Sequence, residues 1–192
     1  MKIEFVTTNR IKVESLEDAL KRLNVLDVVI VQNKLELPEP RSDEIRTIAK
    51  EKSKYAQSVI NGPFVVEDAG FFIQSLNGFP KAFVNFALET IGIEGILRLV
   101  EGKSRLCEFR QCLAYTNPSQ YPELQYFESV SLGTLSDKPR GESKRALHRI
   151  FIPNNYEKTL AEMTAEEREQ RTRASNGHYM QFAEWLKHHA RK

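Results

Sequence analysis

Two short stretches bring together residue types that can do chemistry. In "FVTTNRIK", Thr7, Thr8, Asn9 and Lys12 sit where an apolar run gives way to a polar one. Hydroxyls, an amide and a cation at a helix N-terminus suit an anion, because free backbone N–H groups and the positive end of the helix dipole face it. Lys12, three residues past Asn9, reaches back over the same end. A plain capped helix fits these residues as well. In "FVVED", Glu67 and Asp68 directly follow the apolar Phe64-Val65-Val66. Neighbouring strand residues face opposite ways, so at most one of the pair enters a given cleft. Asp68, beside small Ala69 and Gly70, has room for a metal ion or a ligand phosphate. Mg²⁺ takes carboxylate and phosphate oxygens together. An anion cradle and a carboxylate are what metal-assisted phosphoryl chemistry requires. The plainer reading of Glu67-Asp68 is the polar end of a strand.

The elements that would position these groups alternate along the chain. "KIEFVT" reads as a buried first strand, and Asn9 caps a helix carrying Ile11, Leu16, Leu20 and Leu23. "VLDVVIVQ" is a second apolar strand, so residues 1–32 form a βαβ unit. "LPEP" makes a stiff extended link. Ser42 is then expected to cap a long charged helix over 43–61, ended by Asn61-Gly62-Pro63. "FVVED" is the third strand; the Gly70 region turns into "FFIQSL", and Asn77-Gly78 makes the next turn. A helical stretch from Ala82 to Glu101 breaks near Gly92. "RLCEFRQCLAY" places Cys107, Phe109, Leu113 and Tyr115 on one face and pairs with "LQYFESVSLGTL", two long antiparallel strands assigned to a second lobe. "RIFIP" is one more short strand. Thr164 and Glu167 form a capping box opening a helix over 165–173. The last helix carries Tyr179, Phe182, Trp185 and Leu186 at helical spacing, a core stripe.

Composition narrows the class. The 192 residues suit one domain, or one domain with two lobes, and 41% hydrophobic with 28% charged residues is ordinary for a globular protein. The net charge of +2 names no partner. Arg140, Lys144, Arg145, His148 and Arg149, opposed only by Glu142, read as a local anion site or a solvated loop. No aromatic side chain interleaves these charges, which argues against nucleic-acid binding. Cys107 and Cys112 are five apart on one strand and point to opposite faces, which argues against a disulfide. His188-His189, beside Lys187 and Arg191, read as a solvated helix end rather than a zinc site. No signal peptide or membrane-length apolar run is seen, so the expectation is a cytoplasmic, reduced protein.

"FVTTNRIKVESL", "VVEDAGFFIQSLNGFP", "IGIEGILRLVEG" and "IFIPNNYEKTLAEMTAEE" occur in the order found in the inosine triphosphate pyrophosphatase (Ham1-like) family, and the chain resembles that family over essentially its whole length. The resemblance implies an α/β fold, two-lobed with a mixed sheet, flanking helices and a central nucleotide-binding cleft, in an enzyme that is usually a homodimer. It implies Mg²⁺-dependent cleavage of noncanonical purine nucleoside triphosphates between the α and β phosphates. Thr7, Asn9 and Lys12 fit the family's Thr-x-Asn-x-x-Lys turn, with Thr8 where Gly is common. Glu67 and Asp68 match an acidic pair, and Lys52 a lysine on the preceding helix. The family's metal-binding glutamate, five residues before that lysine, is replaced by Thr47. Glu44 lies one turn earlier on the same face, about 4.5 Å along the axis at ~1.5 Å per residue, and is the candidate replacement.

The departures gather at the base end. Arg145-Ala146-Leu147-His148-Arg149 replaces the family's Phe-Gly-Tyr-Asp-Pro-like loop, and Thr172-Arg173-Ala174 replaces its Ser-His-Arg. Lys81 stands where Gly follows "GFP", and Arg168 where a lysine is usual. Arg145 can stack on a base and His148 can hydrogen-bond one, so Arg145, His148, Arg168 and Arg173 are the base-side candidates. Changed specificity and lost base recognition both fit. The expectation is a Mg²⁺-dependent nucleoside triphosphate pyrophosphatase with Asp68 and Glu67 as catalytic carboxylates. Its rival is a non-catalytic nucleotide-binding protein of the same fold.

Overall fold

The computed structural model describes residues 1–119 and 121–189; Arg191 lies outside them. Its strands are β1 (Lys2–Val6), β2 (Val29–Asn33), β3 (Phe64–Ile73), β4 (Pro80–Lys81), β5 (Leu106–Asn117), β6 (Tyr121–Leu135) and β7 (Phe151–Pro153). The helices are α1 (Arg10–Arg22), α2 (Ile45–Gln57), α3 (Val84–Thr90), α4 (Gly92–Leu99), α5 (Ala165–Ser175) and α6 (His178–His189). The strands make one seven-stranded mixed sheet in the order β2-β1-β3-β5-β6-β7, with β4 on β3. β1 runs parallel to both β2 and β3, as the opening βαβ reading requires. β4 and β7 pair antiparallel to β3 and β6. Gly133 faces Pro153 across β6 and β7, where a Cβ would come within 2.3 Å of the Ile152 carbonyl oxygen. Only glycine fits that approach.

The chain divides into two compact units, Met1–Asp68 with Gln111–Ser129 and Asn176–Lys192, and Ala69–Arg110 with Val130–Ser175. β5 and β6 are therefore shared between units rather than belonging to a second lobe. The core of the first unit joins Ile3 and Phe5 of β1 to Leu16 and Leu20 of α1, Leu113 and Tyr115 of β5, and Phe182 and Leu186 of α6. The core of the second packs Phe71 and Ile73 against Ile96, Val100, Phe151 and Met163. Each large side chain buried this way contributes about 1.5–3 kcal/mol. Cys107 lies in the second core, Cys112 is buried in the first unit, and both thiols are free.

Local signals account for many boundaries. Asn9 caps α1, its Oδ1 accepting from the Ile11 N–H at 3.0 Å. Thr164 and Glu167 exchange both bonds of a capping box, at 2.8 and 3.2 Å, at the head of α5. Asn77 and Gly78 take φ values of 53° and 86° in the loop between β3 and β4, and Gly92, at φ 65°, separates α3 from α4. Two expectations fail. β3 does not end at Asp68 but continues through Ala69 and Gly70 to Ile73, buried along nearly its whole length and next to β5 in the sheet. Helix α2 starts at Ile45, not at 43, and ends at Gln57. Ser42 Oγ accepts the Glu44 N–H at 3.1 Å, closing a turn ahead of the helix instead of capping it.

Candidate active site

Pairing of β1 with β3 sets Val6 beside Val66 in parallel register. Thr7, the first residue past the end of β1, therefore lies beside Glu67, which is still within β3. Carboxyl ends of parallel strands are where open α/β sheets bind ligands. Thr7 Oγ1 accepts from the Asn9 N–H at 3.1 Å, and Asn9 Oδ1 is taken by the cap. The acceptors of both side chains thus hold the turn, while the Thr7 hydroxyl and Asn9 amide still carry donor hydrogens, which a phosphate needs. Thr8 is exposed in the same turn. Lys12, one turn into α1, extends its ammonium to Glu67, 3.5 Å from Oε2 and donating to the main-chain carbonyl at 3.2 Å.

The acidic pair divides between two lysines. Glu67 meets Lys12, and Asp68 Oδ2 meets Lys52 Nζ at 2.5 Å. Lys52 sits on the buried stripe of α2 with Ile45, Ile48, Ala49, Ser53 and Ala56, so a charge interrupts an otherwise apolar face. A carboxylate missed from sequence completes the group: Glu39 Oε1, in the extended link, lies 2.8 Å from the same ammonium. Its position in "LPEP" gave no local signal, since the contact forms only when the link crosses α2.

Glu44 is not on the helix face. It is the residue before α2, exposed, with Oε2 accepting from Thr47 Oγ1 at 3.1 Å. Its carbonyl accepts from the Ile48 N–H at 3.1 Å, as the N-cap residue of α2. Among the described residues, no three His, Cys, Asp or Glu side chains gather as a ready-made metal cage.

The two buried carboxylates have opposite character. Both residues are 8% exposed. Burial pushes Glu67 up, but Lys12, His178 and the Tyr179 hydroxyl together hold it below the usual glutamate range. Burial pushes Asp68 up, Lys52 and Lys12 only partly offset it, Glu39 adds repulsion, and it stays above the usual range. For Lys52 burial works downward, but Asp68 and Glu39 outweigh it and keep the ammonium charged. His178 and Tyr179 were not foreseen as site residues. Tyr179 was read as core, yet it is only half-buried and donates its phenol to Glu67 Oε2 at 2.5 Å.

The base-side candidates all belong to the second unit. Arg145 is exposed and precedes a 3₁₀ turn over Ala146–Arg149. His148 lies in that turn, edge-on to Phe109 with ring centres 6.5 Å apart. Burial, then the charges of Arg145, Arg171 and Arg168, push its imidazole down to about 4. Arg171, absent from the sequence-derived set, is half-buried and donates to Ser131 Oγ at 2.8 Å. Arg173 instead pairs with Glu169 at 2.9 Å on the exposed side of α5, and Arg168 donates to the Thr164 carbonyl. At the other end of the chain, His189 is no free solvated side chain: its ring stacks on Trp185 at 4.4 Å.

A Ham1 family profile matches residues 3–176. The chain belongs to the Ham1 family. It is 35% identical over 188 residues to the dITP/XTP pyrophosphatase of Thermococcus kodakarensis, covering 97% of this chain and 98% of that protein. The Saccharolobus solfataricus protein of the same name is 31% identical, over 100% of this chain and 97% of its own. The Ham1 proteins of Staphylococcus aureus and Coxiella burnetii share the fold. Their TM-scores are 0.79 and 0.80, at 20% and 19% identity, covering 97–98% of this chain and 98–99% of theirs. The phosphate-side motif residues are thus set in a Ham1 framework. No helix among the described residues is long and apolar enough to cross a membrane.

Proposed function

We propose that this chain is a nucleoside triphosphate pyrophosphatase, converting a triphosphate and water to the monophosphate and pyrophosphate. The observation carrying this reading is the pairing of Lys12 and Lys52 with adjacent buried carboxylates of β3, beside the carboxyl end of β1. Relatives named as dITP/XTP pyrophosphatases over nearly full length support the same activity. In this reading residues 1–192 act as a single domain in a cytoplasmic homodimer.

The donor set fits Mg²⁺, which characteristically takes one or two carboxylates and completes its shell with substrate phosphates and water. Asp68 would hold it, with Glu39 the nearest second carboxylate, since both already converge on one cation, Lys52 Nζ. Bound there, the ion would neutralise charge on the transferring phosphate group. Lys12 and Lys52 would exchange their carboxylate partners for phosphate oxygens as charge-assisted donors. Thr7 and Asn9 would donate to the same chain of phosphates from the α1 terminus. Asp68 would orient the water whose oxygen bonds to the α-phosphorus as the bond to the bridging α–β oxygen breaks. Glu67, enclosed by Lys12, His178 and Tyr179, is left to anchor Lys12.

Base recognition would be altered. His148, Arg145, Arg168 and Arg171 occupy the region where the family pattern has its aromatic-Asp loop and its base-side helix. A site that selects through hydrogen bonds rejects analogues only when its own donors and acceptors are matched to one base. Screening nucleoside triphosphates with Mg²⁺ for pyrophosphate release tests both parts of the proposal. Pyrophosphate should be released, and inosine triphosphate should exceed adenosine or guanosine triphosphate in kcat/KM by less than about tenfold, or ~1.4 kcal/mol. Release from no triphosphate would overturn the activity, and a preference of about a hundredfold, ~2.7 kcal/mol, would overturn the altered base site.

A further inference from the structure

Two residues at the start of α6 belong to no phosphate-binding motif, yet both converge on one carboxylate. Tyr179 donates to Glu67 Oε2 at 2.5 Å. His178 places Nε2 3.8 Å from Glu67 Oε1, and that buried nitrogen has no hydrogen-bond partner. The other ring nitrogen, Nδ1, lies 2.8 Å from Ser129 Oγ, so turning the imidazole away would break that bond. The two rings pack 4.1 Å apart, and Tyr179 lies edge-on to the fully buried Phe5 of β1 at 6.4 Å.

What they hold has a consequence for Lys12. The Glu67 side chain is 4% exposed, and a carboxylate buried so deeply is costly unless it is paired and hydrogen-bonded. Lys12 is the reverse case, an ammonium on a flexible four-carbon stem that is aimed only by what it binds. Glu67 binds it twice, through the carboxylate and the main-chain carbonyl. A core role alone would ask of position 179 only a ring against Phe5, and of position 178 no polar atom facing an acid.

We propose that His178 and Tyr179 are positioning residues for Lys12, acting through Glu67; the inference rests on Lys12 being a phosphate ligand. Tyr179→Phe keeps the ring and removes only the hydroxyl. Binding of inorganic triphosphate with Mg²⁺, which has no base to contribute, reads the effect by calorimetry. Tyr179→Phe should weaken it about three- to tenfold in the otherwise native chain. In a Lys12→Ala background the same change should alter binding by less than about twofold, because the residue it acts through is gone. Equal weakening in both backgrounds, or none in the first, overturns the proposal.

Position 178 gives an independent reading, and one that survives if Tyr179→Phe does not fold. A glutamine amide reaches the place of Nε2 and an asparagine amide that of Nδ1. His178→Gln should therefore bind triphosphate within about threefold of the native chain, and His178→Asn should lose as much as Tyr179→Phe. The opposite order would assign His178 to Ser129 alone and overturn the proposal. If the native chain binds no triphosphate, the phosphate reading fails, and crystal structures of these variants decide the positioning role by themselves. Lys12 Nζ displaced from Glu67 supports it; Lys12 and Glu67 both unmoved overturns it.

Discussion

His148 makes the stability of this protein depend on pH in a way that one substitution can remove. Its imidazole titrates near 4 in the folded chain against 6.5 ordinarily, through burial first and then the charges of Arg145, Arg171 and Arg168. The sign follows from which state holds the proton. Above 6.5 the ring is neutral in both states and the full contribution is present. As the pH falls toward 4 the unfolded chain binds a proton that the folded chain refuses, so stability is lost over that window. About 2.5 pH units at about 1.36 kcal/mol each gives at most about 3.4 kcal/mol. The ring is partly exposed, so the measured loss should fall below this limit. Urea unfolding at intervals from pH 7 to pH 4, for the native chain and for His148→Gln, isolates the effect. Glu67, held low, is lost in the same direction but is present in both proteins. The native chain should lose about 2 kcal/mol more than the variant across the window. Parallel curves would mean that His148 protonates freely among the arginines, and would remove the basis for a neutral imidazole at the base-side turn.

Three further outcomes are expected. Asp68→Asn keeps the shape of the side chain and removes the charge that would hold Mg²⁺, so pyrophosphate release should disappear with circular dichroism unchanged; undiminished turnover in the folded variant would dismiss Asp68 as the metal residue. Thr47→Glu places a carboxylate one and a half turns before Lys52 on α2 and should lower the Mg²⁺ concentration needed for half-maximal rate; if nothing changes, Glu39 is the second carboxylate and Glu39→Gln should raise that concentration. Lys81 holds a left-handed backbone at φ 58°, so Lys81→Gly should stabilise the chain by about 0.5–1 kcal/mol, the steric relief exceeding the entropy glycine loses; a lower melting temperature would show that the Lys81 side chain outweighs its backbone cost.

Much of the phosphate side was legible because its information is local. Asn9 caps the helix it precedes, Lys12 follows within one turn, and Glu67-Asp68 close an apolar run. Lys52 entered only through the resemblance to the family's helix lysine; its place in the buried stripe of α2 is a finding of the structure. What the sequence concealed is contact made over long separations. Tyr179 reaches Glu67 across 112 positions, and the partner is chosen by how α6 packs against α1 and β1, which no periodicity records. Glu39 reaches Lys52 for a similar reason, through the path of an extended link. Glu44, expected inside the helix, is its N-cap instead, because the chain enters α2 one residue later. The expected break at Ala69-Gly70 failed because small residues do not end a strand that is buried inside a sheet, where β3 lies between β1 and β5.

The division of labour between Glu67 and Asp68 follows from partners rather than position. They are adjacent and both buried, the Glu67 side chain more deeply than that of Asp68, and desolvation raises both. Around Glu67 the Lys12 ammonium and the Tyr179 phenol favour the ionised form, beside a His178 imidazole that burial pushes down. Nothing there calls for another cation, and a charge so well matched is suited to holding Lys12 rather than to changing partners. Around Asp68 the demands conflict, because its ammonium is shared with Glu39, whose own charge works against it. Asp68 is the buried member of that pair and Glu39 is 78% exposed, so one ammonium serves two carboxylates of which only one is screened by water. A divalent cation would relieve that imbalance and release Lys52 toward phosphate oxygens. The side of the acidic pair that is less stable by itself is therefore the side at which metal and substrate have the most to contribute.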